Sequence, residues 1–465
     1  MHGPKGSPDG SAQPGFVRGL GLWDATAIVA GSMIGSGIFI VSQDVAARVG
    51  APGWFLVVWA LTGLMTVLGA LAYGELAAMF PQAGGQYVYL REAFGPLWGF
   101  LYGWTLFLVI QAGSIAAVGV AFARYLDVVV GGDWSTWTQR GIAIAMIAVL
   151  TAINCVGLHA GKWVQNVFTA LKALTLVALV VLGGLFLRDG AALFSGDWFA
   201  GRALVDGAWQ PLSGGALLAG LGVAMVGSLF AADAWNNATF VAGEVKHPQR
   251  NVGLSLALGA GAVIALYLLV NLAYLGTLTM DQIATAPNQR VGAEMMRAIL
   301  GAPGAVVLAI AVLVSTFGCN NGLILTGARL VWAMARDGLF FHAAGDLGAR
   351  SRVPVKALLI QGVWSSILVT TGSYSDLLDY VIFAALLFYV LTIAGLFVLR
   401  RTRPDAERPY RTWGYPVLPA IYLLAALVIM LALLVYKPGY TWPGLGIVIA
   451  GVPVFYGWRR WGRRA

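Results

Sequence analysis

The residues of this chain best able to do chemistry lie inside long apolar runs. Lys172 occupies the middle of one, in Gln165-Asn166-Val167-Phe168-Thr169-Ala170-Leu171-Lys172-Ala173-Leu174. Asp233, Asn236 and Asn237 crowd another, in Phe230-Ala231-Ala232-Asp233-Ala234-Trp235-Asn236-Asn237. A third carries Gly31-Ser32-Met33-Ile34-Gly35-Ser36-Gly37. Polar groups at such depth are costly unless they face a cavity or one another, so these patterns ask for a ligand or an internal partner. A helix that unwinds around Gly35-Ser36-Gly37 turns the N–H groups and positive dipole end of its second half toward an anion such as a carboxylate. A helix broken near Phe230, Ala231 and Ala232 ends its first half in carbonyls that accept from an ammonium. The pair suits a zwitterion. A second reading of the glycines also stands, close packing against a neighbouring helix.

Such residues need elements that hold them at one depth. Of the 465 residues 59% are hydrophobic and 11% charged, where soluble proteins carry about 25% charged residues. Apolar runs long enough to cross a ~30 Å hydrocarbon core recur along the whole chain. Read between polar punctuation, they give twelve spans at about 21–41, 53–79, 94–126, 141–157, 163–187, 213–241, 252–277, 303–335, 355–372, 376–399, 415–436 and 442–458. The fold class expected is therefore an all-α integral membrane protein. The two breaks fall in spans one and six, the first members of two successive groups of five, where an inverted-repeat transporter places paired discontinuous helices.

The chain then divides into a tail at 1–19, a first five-helix repeat at 20–187, a loop at 188–212, a second repeat at 213–399, a basic loop at 400–414, helices eleven and twelve at 415–458, and a basic tail at 459–465. The net charge of +9 is gathered beside spans rather than in a nucleic-acid stripe. Arg329, Arg336, Arg350, Arg352 and Lys356 are assigned to one loop region, Arg400, Arg401, Arg403, Arg408 and Arg411 to another, and Arg459, Arg460, Arg463 and Arg464 to the tail. The positive-inside rule makes that side cytoplasmic, with both termini on it, in the cell membrane. The opposite loops, Asp127–Gln139 and Ser373–Asp379, are poor in Lys and Arg. The first 19 residues show no pattern of a cleaved signal peptide.

Several function classes find no support. The four histidines, His2, His159, His247 and His342, are scattered, and neither HExxH, Walker A nor a nucleophile elbow occurs. An enzyme, a metal site, a cofactor and nucleotide-driven pumping by this chain are not expected. Cys155 and Cys319 both fall in apolar segments, which points to no disulfide framework. A channel, the remotest alternative, would favour a continuous polar pore over paired breaks.

Four ordered stretches carry a family resemblance. GSMIGSGIF at Gly31–Phe39, AYGELAAMFPQAGGQYVYLREAFG at Ala72–Gly95, FAADAWNNATFVAGEVKHPQRN at Phe230–Asn251 and STFGCNNGLILTGARLVWAMARDG at Ser315–Gly338 resemble the APC superfamily of amino-acid, polyamine and organocation transporters. Within it they are similar to the L-type amino-acid transporter branch and its bacterial relatives. The resemblance implies a LeuT-type fold, two inverted five-helix repeats plus two helices, with alternating access around a central site. It implies that the backbone at Ile34, Gly35, Ser36 and Gly37 holds the substrate carboxylate. The carbonyls of Phe230, Ala231 and Ala232 would hold the α-amine, with the Phe230 ring as gate. Gln111, Ser315 and Asn320 would line the side-chain pocket, and Asp233 and Asn236 belong to the same site. Many relatives read AYDGW in span six. Ala232 and Ala234 stand here where an aromatic and a glycine are usual, which implies a larger pocket and a stiffer break.

Lys172 matches a family lysine placed where sodium-coupled cousins of the fold hold a sodium ion, which implies sodium-independent transport. Its alternative is snorkelling, although Lys162 already marks the edge of the span. A buried lysine can cycle a proton and drive symport, or stay charged and hold helices for exchange. Asp233 is the other candidate proton carrier, or else a fixed acid paired with backbone N–H. Glu75 and Glu244 are expected as structural or gating acids, and Asp24 as a cap. The function implied is exchange or proton-linked uptake of neutral amino acids, with a cationic amino acid or polyamine, using Asp233 as counter-ion, as the alternative. Eukaryotic L-type relatives join a glycoprotein through a cysteine between spans three and four. Asp127–Gln139 has none, so no disulfide-linked subunit is expected.

Overall fold

A computed structural model of the chain describes residues 16–187, 197–371, 374–436 and 438–461. Most of the tail at 1–19, part of the loop at 188–212, Ser373, Arg463, Arg464 and His2 lie outside the described residues. The molecule is a bundle of long helices, because runs of apolar and small residues let helix surfaces approach while every backbone group is paired within its own helix. Among the described residues nine helices are long and apolar enough to cross a membrane, and ten if the bent pair Leu22–Met33 and Gly37–Val49 is one span. Two further helices, Val355–Thr371 and Pro438–Trp461, are not among these nine or ten; they stand at the two remaining positions expected from sequence and take those positions' numbers.

The numbering of the spans follows the chain. Span one is the bent pair, turned by 44°. Spans two to five are Pro52–Met79, Pro96–Val130, Thr136–Val156 and Leu158–Leu185. Span six is Gly214–Ala231, followed by span seven, Pro248–Thr277, and span eight, Ala302–Arg336. Span nine is Val355–Thr371 and span ten Tyr374–Thr402. Spans eleven and twelve are Val417–Tyr436 and Pro438–Trp461. The second half of span one packs on span six, span two on span seven, span three on span eight and span four on span nine. Members of the two groups of five thus meet their counterparts, as two repeats related by a central axis would.

Four local features depart from the expectation. A separate helix, Gln86–Phe94, precedes span three, because Gly95 at φ +97° and Pro96 end one helix and start the next. Span three then widens into a five-residue π-helical turn at Leu106–Ile110, immediately before Gln111. Such turns leave a carbonyl free and recur at functional sites. Span six does not resume as an α-helix after its break but continues in 3₁₀ turns at Trp235–Thr239 and Ala242–Glu244. The loop before span six carries a short antiparallel hairpin, β1 at Arg202–Val205 and β2 at Ala208–Pro211.

Candidate functional site

Unwinding span one between Met33 and Gly37 releases the carbonyls of its last turn, and each finds a partner. Lys172 Nζ, fully buried, donates to Gly31 O, to Ile34 O at 2.9 Å and more distantly to Ser315 O at 3.4 Å. Cys319 Sγ donates to Ser32 O at 3.0 Å. Ser315 Oγ lies 3.2 Å from Ile34 O and 3.0 Å from Gly35 O. Tyr267 of span seven places its hydroxyl 3.0 Å from Met33 O and 3.1 Å from Ala231 O, spanning both breaks. An unpaired carbonyl in hydrocarbon costs several kcal/mol, so these four side chains are what lets the break persist. The three donors of an ammonium match the three oxygens around Lys172.

The glycines do two jobs. A Cβ on Gly31 would lie 2.0 Å from Gln165 Nε2, and one on Gly37 would lie 2.8 Å from both Cα and Cβ of Ala231. Close packing and the break therefore coincide: only glycine lets the second half of span one start against the end of span six.

In span six the chain turns at Ala234, whose φ of +65° is left-handed. That conformation costs an alanine about 1–2 kcal/mol. Asp233 N donates to Phe230 O at 3.1 Å. The Asp233 carboxylate accepts from Tyr389 OH at 2.6 Å. Asn236 Nδ2 donates to Gln86 Oε1 at 2.9 Å, and Gln86 Nε2 donates to Thr392 Oγ1 at 2.9 Å. A polar chain thus runs from span ten through the helix Gln86–Phe94 to the broken span.

Three small cavities meet at Asp233. One of about 30 Å³ is bounded by Gly35, Ser36, Gly37, Phe230, Ala231 and Asp233. A second of about 20 Å³ is bounded by Gln86, Gln111, Ser114, Asp233, Asn236 and Tyr389. The third, also about 20 Å³, lies behind Ala232, Trp235 and Tyr389. Each has room for about one water, so an amino acid is admitted only when the helices around it part. Beside Ala232, at the third cavity, stand the Trp235 and Tyr389 rings, 5.3 Å apart.

One end of the bundle is latched. Glu75, buried near the end of span two, accepts from Arg400 at 2.9 and 2.6 Å and from Thr412 N at 2.7 Å, with Arg408 Nε at 3.3 Å. Leu20, just before span one, forms an isolated parallel bridge to Val245, with Leu20 N donating to Glu244 O at 3.0 Å. Lys162 pairs with Asp24 at 2.7 Å, and Asp24 also caps Gly21 N at 2.8 Å. Arg329 corrects the sequence reading that put it among loop bases. It lies within span eight, 1% exposed, with its guanidinium 3.1 Å from Glu244, which is equally buried. A guanidinium one turn or two inside a helix end reads like a flanking charge until its counter-ion is known.

The remaining expected residues separate into two sets. Gly35, Ser36, Gly37, Phe230, Ala231, Asp233, Gln111 and Asn236 border the central cavities. Ile34 offers its carbonyl to Lys172 and Ser315, and Ala232 borders only the third cavity. Ser315 ties down the broken backbone rather than lining the side-chain cavity, and Asn320 donates to Ile115 O at 3.2 Å, away from it. Tyr267, Tyr389 and Gln86 were not found from sequence. Gln86 sits in the AGGQYVYL stretch quoted for the family resemblance and could have been picked out as an amide there, whereas a tyrosine inside a span carries no distinguishing pattern.

Two discontinuous helices facing one another within a bundle of apolar helices are the arrangement of a secondary transporter. The family comparison names the kind: the family described as "Amino acid permease" matches residues 20–452, and the chain belongs to that family. It is a membrane transporter and not an enzyme. It is 32% identical over 440 residues to the b(0,+)-type amino acid transporter 1 of Mus musculus, covering 94% of this chain and 87% of that protein. It is 31% identical over 458 residues to the large neutral amino acids transporter small subunit 2 of Homo sapiens, covering 97% and 82%.

Proposed function

We propose that this permease exchanges neutral amino acids by alternating access, without sodium and without a driving proton. The observation that carries the proposal is the partnering of the span-one break: Gly31 O, Ile34 O and Ser315 O surround the Lys172 ammonium. The three N–H donors of the charged form match these three oxygens, which supports a fixed cation over a cycling one. The same ammonium takes up the oxygens a sodium ion would need. The substrate carboxylate goes to the start of the second half of span one at Gly35–Gly37, where a helix leaves N–H groups without intrahelical partners. The α-amine goes to the carbonyls of Phe230 and Ala231, at the end of the α-helical part of span six. Gln111 and Asn236 meet the side chain, and Phe230 closes over it. Both termini and the latched end face the cytoplasm, by the weight of Arg400, Arg403, Arg408, Arg459 and Arg460 there. Cys155 and Cys319 lie within spans four and eight, which supports a carrier without a disulfide-linked subunit.

A second reading, a cationic amino acid, is favoured by one observation: the Asp233 carboxylate borders all three central cavities. Purified protein in liposomes separates these readings. Uptake of radiolabelled neutral amino acids that requires preloaded amino acid and ignores sodium and a pH gradient is expected. Uptake into empty vesicles that follows an inward proton gradient overturns the exchange reading. Selective loss of basic substrates in Asp233→Asn would establish the cationic one.

A further inference from the structure

At the end of the bundle opposite the Glu75 and Glu244 ion pairs, span three and the loop between spans seven and eight enclose a polar pit of about 550 Å³. Arg124 and Tyr125 of span three and Arg290 of that loop line it. The Arg290 guanidinium stacks on the Tyr125 ring, 5.3 Å from its centroid, which fixes the plane of a planar donor fork. Among the described residues neither Arg124 nor Arg290 makes a side-chain hydrogen bond or ion pair within the protein. The acid nearest in sequence to Arg124, Asp127, also lines the pit, where its carboxylate accepts from Trp134 N at 3.3 Å and from Gln139 Nε2 at 3.1 Å rather than from either arginine. Arg290 follows two non-glycine residues in left-handed backbone, Asn288 at φ +52° and Gln289 at φ +62°. That is a conformation a glutamine adopts at a cost, and such strain persists where the surroundings hold it.

The pit adjoins the transport route. Ile40 of span one is part of its wall, and Gly37, one helical turn earlier, borders the central cavity. We propose that Arg124 and Arg290 form an outer recognition site for the carboxylate of a zwitterionic amino acid, loaded before the molecule reaches the broken helices. Asp133 on the same pit receives the ammonium. The site rests on the amino-acid carrier reading and adds to it a sidedness: it serves substrate arriving at this face alone.

The test uses full-length protein in vesicles of defined orientation, with radiolabelled leucine, or whichever neutral amino acid exchanges fastest. In Arg124→Gln with Arg290→Gln, KM at the pit face rises about tenfold, the order of a lost hydrogen bond to a charged group. KM at the opposite face and the maximal exchange rate stay as in the wild type. Leucine amide, which lacks the carboxylate, competes equally with both proteins, and Arg290→Lys recovers part of the loss. An unchanged KM at the pit face, an equal rise at both faces, or an equal loss of leucine amide overturns the proposal. Should the double variant not fold, the two single Gln variants carry the same readouts. Exchange persists in every expected outcome, so a failure of the carrier reading, no exchange at all in the wild type, is distinguishable.

Discussion

Replacing Lys172 by methionine keeps most of the side chain's bulk while removing its three donors. Of the oxygens it serves, Ile34 O retains Ser315 Oγ at 3.2 Å, whereas Gly31 O has Lys172 as its one hydrogen-bond donor among the described residues. The loss therefore falls mainly on one buried carbonyl, and leaving such a group unsatisfied costs about 1–3 kcal/mol. Span one can recover that energy only by moving Gly31–Ile34 back toward helical geometry, which shifts Gly35–Gly37 against Ala231. A mid-range cost of about 2 kcal/mol taken from the binding-competent backbone lowers apparent affinity roughly 30-fold. The assay is the KM for exchange in proteoliposomes, with Lys172→Ala beside it. Alanine also leaves a cavity, so its KM should rise at least as much and its thermal unfolding come earlier than that of the methionine variant. Exchange by Lys172→Met at unchanged KM would refute the reasoning, because the break would then not depend on the ammonium.

Three further outcomes follow from the geometry. Gly37→Ala puts a Cβ 2.8 Å from Ala231, so exchange should be lost while the protein still inserts and purifies; retained wild-type flux would show that the two breaks separate freely. Glu244→Gln leaves the Arg329 guanidinium buried without a counter-charge, a loss of about 3–5 kcal/mol, and adding Arg329→Met should recover most of it in thermal unfolding. Ala234→Gly relieves left-handed backbone worth about 1–2 kcal/mol and gives back about 0.5–1 in chain entropy, so a small rise in unfolding temperature is expected, and a fall would mean the alanine methyl packs better than its φ suggests.

How much of this was legible beforehand varies by residue. The spans were readable because hydrocarbon demands a long uninterrupted run of apolar side chains, a property of contiguous sequence. Lys172, Asp233 and the glycines of span one stood out for the same reason inverted: each breaks the local rule, so it must be compensated by something. What compensates could not be read. Lys172 meets Gly31 from 141 residues away and Tyr389 meets Asp233 from 156, and no local pattern encodes such a meeting. Arg329 was misread as a loop base because sequence counts charges by their distance from a span end, while burial beside Glu244 depends on how spans six and eight pack. For Ser315 and Asn320 the family resemblance implies a place in the pocket lining, yet a matching motif does not fix which partner each side chain takes: Ser315 bonds the span-one carbonyls and Asn320 bonds Ile115 O. The π-helical turn before Gln111 and the 3₁₀ continuation of span six left no trace in apolar periodicity either. The sequence by itself determined that a membrane carrier would be built around two interrupted helices, because composition and hydropathy are local sums. Only the tertiary structure decided which side chains hold those interruptions open, because each released carbonyl is satisfied by a group brought from another helix.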